Sequence, residues 1–171
     1  TPSERSRSVM KAWDNRPDEV KNLLNPAFCG RIIYYSVSEY QKRTKRDFPF
    51  PLVYLVLPLV LPRSIRTKID SRTQLINWVQ KHQELVFNFG KRAGDLVEIT
   101  NEAIEFLLQT GYMMLTDNGE LSKVITSGTL SKTKYIDQEV SECLNKAEHV
   151  GRWFASAGKA EQIYTSLGVR P

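Results

Sequence analysis

The stretch TNEAIEFLLQTGYMMLTDNGELSKVI, residues 100–125, decides how this chain is read. Thr100 stands where a hydroxyl can cap the start of a helix over residues 101–110. Ala103, Ile104, Phe106, Leu107 and Leu108 give that helix a buried face. Gly111 follows where a left-handed C-terminal cap is required. Two short apolar runs then flank Thr116-Asp117-Asn118-Gly119, and Asn-Gly between such runs is a strong hairpin signal.

Upstream, Ser71 or Thr73 can cap a helix carrying Leu75, Ile76, Trp78 and Val79. A second helix carries Leu85, Val86, Phe87 and Phe89 and ends near Gly94. The order is then helix, helix, helix, hairpin, the layout of a winged helix-turn-helix module. Farther upstream, Asn25-Pro26 starts another helix, with Asn25 as N-cap and Pro26 at the first helical position. Its apolar residues Phe28, Ile32, Ile33, Val37 and Tyr40 fall on one face, and a basic run from Lys42 to Arg46 suits its C-terminal dipole. A short helix is expected over residues 18–24. Between these elements lies FPFPLVYLVLPLVLP, residues 48–62, with 11 apolar residues among 15 and four prolines. A membrane span needs about 20 apolar residues and rarely tolerates such proline density, so the run reads as buried core. Within it, residues 52–57 fit a buried strand or a short buried helix, and periodicity alone does not choose.

Downstream, residues 126–136 are rich in Ser, Thr, Gly and Lys and read as a linker. A long helix over about 137–157 follows, with Val140, Cys143, Leu144, Ala147, Val150, Gly151 and Phe154 on one stripe. Gly158 closes it, and a short final helix ends at Gly168. The expected fold is mostly α with a small β-hairpin (α+β), a winged helix-turn-helix-like core with N-terminal and C-terminal helical extensions. The expected organisation is a flexible segment at 1–16, a core at 17–125, the linker at 126–136 and a C-terminal helical segment at 137–171. That last segment packs on the core or on a partner.

The 171 residues are 41% hydrophobic and 25% charged, a globular composition that excludes global disorder and a disulfide-dense scaffold. The two cysteines, Cys29 and Cys143, read as buried thiols in a reducing cytoplasm, with one long-range disulfide as the alternative. Gly90-Lys91 and Gly158-Lys159 lack the upstream glycine of a phosphate loop. No CxxC or HxxxH spacing offers a metal site, and only His82 and His149 could serve as imidazole bases. The expectation is a protein with no catalytic residues, no cofactor and no metal, and with no contact to a membrane.

Charge is segregated. Residues 93–122 contain Asp95, Glu98, Glu102, Glu105, Asp117 and Glu120 and no Lys or Arg, so this segment carries −6 while the rest of the chain carries +11. Such a segment would repel DNA phosphates. The six acids are therefore candidates for a protein interface. Two basic clusters, Lys42/Arg43/Lys45/Arg46 and Arg63/Arg66/Lys68/Arg72, are the candidates for phosphate or nucleic-acid contact. Tyr34, Tyr35, Tyr40, Phe48, Phe50 and Tyr54 flank the first cluster and could stack on bases, although core or interface packing is the expected use.

Several stretches together resemble one family. They are Asn25-Pro26-Ala27-Phe28-Cys29, the run from Phe50 to Leu61, Phe89-Gly90-Lys91-Arg92-Ala93, Thr100-Asn101-Glu102-Ala103-Ile104-Glu105-Phe106, Gly151-Arg152-Trp153-Phe154-Ala155 and Leu167-Gly168-Val169-Arg170-Pro171. The pattern is similar to the middle component of bacterial three-component ABC systems, over about residues 13–171. The resemblance implies an accessory protein that acts with an ABC-type ATPase of the chromosome-maintenance and DNA-repair kind, and with a third component that often carries an effector domain. It implies action against phages or other invading DNA, with nucleic acid reached through those partners. Pro62 stands where family members often have a histidine. The alternative function, read from charge alone, is a winged-helix nucleic-acid-binding protein that uses the basic clusters.

Overall fold

The computed structural model describes residues 24–124 and 137–170. The expected helix at 18–24, the flexible segment at 1–16 and the linker at 126–136 fall on or largely on residues outside that range.

The architecture is built around one helix. α1, Pro26–Thr44, begins as its sequence dictates: the Asn25 side chain accepts from the backbone N–H of Ala27 at 2.8 Å and of Phe28 at 3.4 Å, and Pro26 occupies the first turn. It ends on Lys45, which takes the left-handed conformation at φ 59°. A surface helix would bury one stripe. α1 buries Cys29 and Ile32 through Val37 because it is covered on two sides.

A single 3-10 turn, Phe50–Leu52, leads into α2, Val53–Val60. The proline-punctuated run is thus helical. Burial explains the choice: Val53 and Leu55 through Val60 are all shielded from water, and a helix satisfies its own backbone groups where no strand lies alongside among the described residues. Pro58 is accommodated inside it. α3, Arg63–Arg66, is a single turn, followed by α4, Leu75–Lys81, α5, Gln83–Val86, α6, Phe89–Asp95, and α7, Val97–Gln109.

Several expectations for this region are corrected. Neither Ser71 nor Thr73 caps α4, whose N-cap is Gln74. The helix expected to carry Leu85, Val86, Phe87 and Phe89 and to end near Gly94 is two pieces, the second ending at Asp95, and of those four residues only Phe89 is buried, whereas Phe87 is 85% exposed. Thr100 lies inside α7, fully buried, because the chain passes from α6 into α7 through Leu96 alone. Its N–H is taken by the Leu96 carbonyl at 2.9 Å.

Gly111 has the expected positive φ, 78°, and releases the chain into the hairpin. β1, Met113–Leu115, pairs antiparallel with β2, Leu121–Lys123, in the register Met113 to Lys123 and Leu115 to Leu121. Phe48 adds an isolated bridge on the outer side of Leu121, with bonds of 2.8 and 2.9 Å. Gln41 of α1 ties the hairpin down by accepting from the Lys123 N–H at 2.8 Å. The mostly helical class with a small hairpin holds. A winged helix-turn-helix arrangement is not confirmed: the main neighbour of α7 is α1 rather than the short helices α4–α6.

α8, Gln138–Ser156, and α9, Ala160–Ser166, complete the fold. α8 lies along α1 in the same direction, with Ser36 opposite Ala147 and Glu39 opposite Arg152. Its expected apolar stripe is the face that meets α1. Close approach depends on small residues. A Cβ at Gly151 would overlap the Ser36 carbonyl oxygen, and one at Gly30 would lie 3.1 Å from the Phe106 ring, where α1 crosses α7. Both cysteines are reduced and buried, so the disulfide alternative does not hold.

Candidate interaction surfaces

α7 carries its apolar residues Ile99, Ala103, Ile104 and Leu107 inward. The opposite face therefore collects Glu98, Asn101, Glu102, Glu105 and Gln109, positions that share one side of a helix. Glu98 and Glu105 are exposed and Glu102 is half-buried. Burial, with Glu98 and Glu105 on either side, raises the Glu102 carboxyl above the ordinary carboxylate range. Glu105 accepts from Gln109 Nε2 at 3.0 Å, and none of the three carboxylates has an ion pair among the described residues. Asp95 is exposed at the end of α6, three residues before Glu98.

The other two acids sit elsewhere. Asp117 is exposed in the hairpin turn. Glu120 lies near the C-terminal end of α1, where its charge and that of Arg46 both act on the Tyr40 hydroxyl. The six acids that sequence groups together are thus divided between α6, an α7 stripe and the hairpin.

The basic clusters also divide. Lys42, Lys45 and Arg46 are exposed at the end of α1, and Arg43 pairs with Glu39 at 3.3 Å. Arg63, Lys68 and Arg72 are exposed in and after α3. Arg66 is not a surface cation. Its guanidinium is 1% exposed and donates to Glu142 at 2.9 Å, Glu139 at 3.0 Å, and the carbonyls of Val60 and Leu61 at 3.0 and 2.7 Å. It closes the C-terminus of α2 and clips it to α8, so no phosphate can reach it in this fold. The aromatic residues beside the first cluster are committed as well. Tyr34, Tyr35, Tyr40 and Phe48 are buried, with Tyr40 and Phe48 edge to face at 5.1 Å.

A third feature was not legible as a site. Tyr54 of α2 donates to Asn101 Oδ1 at 2.6 Å, which places α2 at the border of the acidic stripe. Beside it, Val97 is 36% exposed. Sequence marks Tyr54 only as one of the aromatic residues near the first basic cluster, and does not single out Val97. No group of His, Cys, Asp or Glu suited to a metal occurs among the described residues. No helix among them is long and apolar enough to cross a membrane.

The chain matches the family model for the ABC-three component (ABC-3C) system Middle Component 3 over residues 13–171. It belongs to that family, and so to the middle components of such systems, which act with other components of an ABC system. Comparison with curated proteins and with solved structures gave no match.

Proposed function

We propose that this middle component is a non-catalytic adaptor. It couples an ABC-type ATPase of the chromosome-maintenance and DNA-repair kind to a third, effector-bearing component, in a bacterial system directed against phages or other invading DNA. The family supports the setting. The observation that carries the adaptor reading is the α7 stripe: carboxylates that repel one another, have no ion pair among the described residues, and gain most from a basic partner. The working compartment we assign is the cytoplasm, in keeping with two buried, reduced thiols.

The test is copurification of the tagged chain with the ATPase and the third component of its system, with and without nuclease. A nuclease-resistant complex that is weakened by Glu98→Lys with Glu105→Lys supports the adaptor and its face. Loss of every protein partner on nuclease treatment rejects it.

One observation favours a second reading, direct nucleic-acid contact: Lys42, Lys45 and Arg46 are exposed together and have no carboxylate partner among the described residues. That reading requires DNA binding whose affinity falls steeply with salt, and whose log-log slope shrinks when these three become Ala. No binding at low salt rejects it.

A further inference from the structure

A cavity of about 310 Å³ opens between α2, α6, the first turn of α7, α9 and the chain that follows it. Tyr54, Gly90, Gly94, Val97, Tyr164 and Arg170 are among its walls. It is apolar for a stated reason. The Tyr54 hydroxyl donates to Asn101, and the Tyr164 hydroxyl donates to the Pro51 carbonyl, so both polar tips are engaged and ring carbons face the space. The two glycines of α6 keep it open. A Cβ at Gly94 would meet nothing within 4 Å.

The cavity and the acidic stripe adjoin. Val97 lines the cavity and Glu98 is the next residue; Tyr54 lines the cavity and bonds Asn101 within the stripe. An apolar socket continued by carboxylates at helical steps of four and three, Glu98 to Glu102 to Glu105, has a complement of definite chemistry. We infer that the socket and stripe form one docking site for an amphipathic helix of a partner component, which seats one bulky apolar side chain in the socket and runs Lys or Arg residues along α7. This inference rests on the adaptor reading and adds to it the socket and the form of the ligand. Charge selects a partner over a second copy of this chain, because a two-fold pairing would bring two acidic stripes together. Arg170 stands on the wall formed by the chain after α9, so the partner's cations belong on the α7 side.

The test fills the socket without touching the charges. Gly94→Leu adds a side chain where the backbone has room, and the melting temperature reports that the fold is kept. The purified ATPase and third component of the same system are the probes, titrated by calorimetry. We expect one of them to bind about tenfold or more weakly to Gly94→Leu, the loss typical of an excluded anchor. Unchanged affinity for both overturns the socket. If Glu98→Lys with Glu105→Lys still weakens the complex in that case, the acidic-face reading survives alone; if it does not, both fail. A photo-crosslinking phenylalanine analogue at Val97 then identifies what is seated. A partner segment with a bulky apolar residue and Lys or Arg at steps of three and four confirms the inference. A segment without cations, or a second copy of this chain, overturns it.

Discussion

Gly151 of α8 lies against the backbone carbonyl of Ser36 on α1, so close that a single added carbon would overlap the oxygen. The same carbon would lie 3.1 Å from Cβ of Glu39. On the neighbouring turn the Ser36 hydroxyl donates to the Ala147 carbonyl at 2.6 Å. At this point the contact between the two helices is backbone against backbone, and backbone cannot move aside as a side chain can. Gly151→Ala should cost about 1–3 kcal/mol in urea unfolding, despite the better helix propensity of Ala. Gly94→Ala, where space is open, should gain about 0.5–1 kcal/mol. A similar effect at both sites would refute this account of the α1–α8 contact.

Arg66 should be among the most sensitive polar positions. Arg66→Ala leaves the Val60 and Leu61 carbonyls and two carboxylates without their donor. Glu139 and Glu142 are 38% and 40% exposed, so solvent screens part of the ionic loss. We expect a destabilisation near the lower end for a broken buried pair, about 3 kcal/mol. Arg66→Lys should rescue little, because an ammonium cannot reproduce four bonds in a planar fork. Full rescue by Lys would show that charge alone matters.

The thiols should be inert in the native state. Burial pushes Cys29 up to about 12, with Cys143 and Glu102 adding to it, and pushes Cys143 up to about 11, against the opposing pull of the Arg66 guanidinium. At pH 8 almost no thiolate forms and neither sulfur is exposed. Labelling by a disulfide reagent should proceed only as fast as unfolding, and become rapid in denaturant. Fast labelling of the folded chain would contradict the packing of Cys29 and Cys143.

His149 should make stability depend on acid pH. Burial lowers its pKa from 6.5, and Arg152 and Lys146 lower it further, while Asp70 pulls weakly the other way. Arg152 Nη2 lies 3.3 Å from Nδ1, which suits a neutral ring accepting at that nitrogen. The folded pKa lies below the unfolded one, so the unfolded chain binds the extra proton first. The stabilisation is complete above about pH 6.5 and is lost as pH falls through the folded value. His149→Gln should flatten this limb of a stability-against-pH curve, read by urea midpoints. An unchanged slope would assign the acid loss to other groups.

Thr100 is buried inside α7 and its hydroxyl finds no hydrogen-bond partner among the described residues. Thr100→Val should stabilise the chain by about 1 kcal/mol, the lower range for relieving a buried unbonded hydroxyl. A loss of stability would show that the hydroxyl is bonded in solution.

Local chemistry was readable where it was self-contained. Asn25-Pro26, Gly111 and the hairpin around Asn118-Gly119 each carry their reason within a few residues. The failures have a common cause in long-range packing. Residues 53–60 are helical because seven of the eight are buried, which periodicity does not report. Thr100 looks like a cap, but α6 runs on into α7 and places it in the core. Arg66 looks like a surface cation because its carboxylates are 73 and 76 residues away in sequence. The six acids of residues 93–122 look like one face, yet the hairpin turns Glu120 toward the end of α1. For the socket, sequence supplied the apolar residues and the glycines of α6 but not the fact that four elements leave a space between them.

The pairing of α1 with α8 also governs the birth of the protein. Ser36 and Ala147 are 111 residues apart in the chain. At about 5–20 residues per second, a ribosome needs several seconds to make the second helix after the first has emerged. Through that interval the face bearing Ser36 and Glu39 lacks the helix it packs against. The nascent chain is then a natural client for chaperones, and any message truncated before residue 138 yields a product that cannot complete its core.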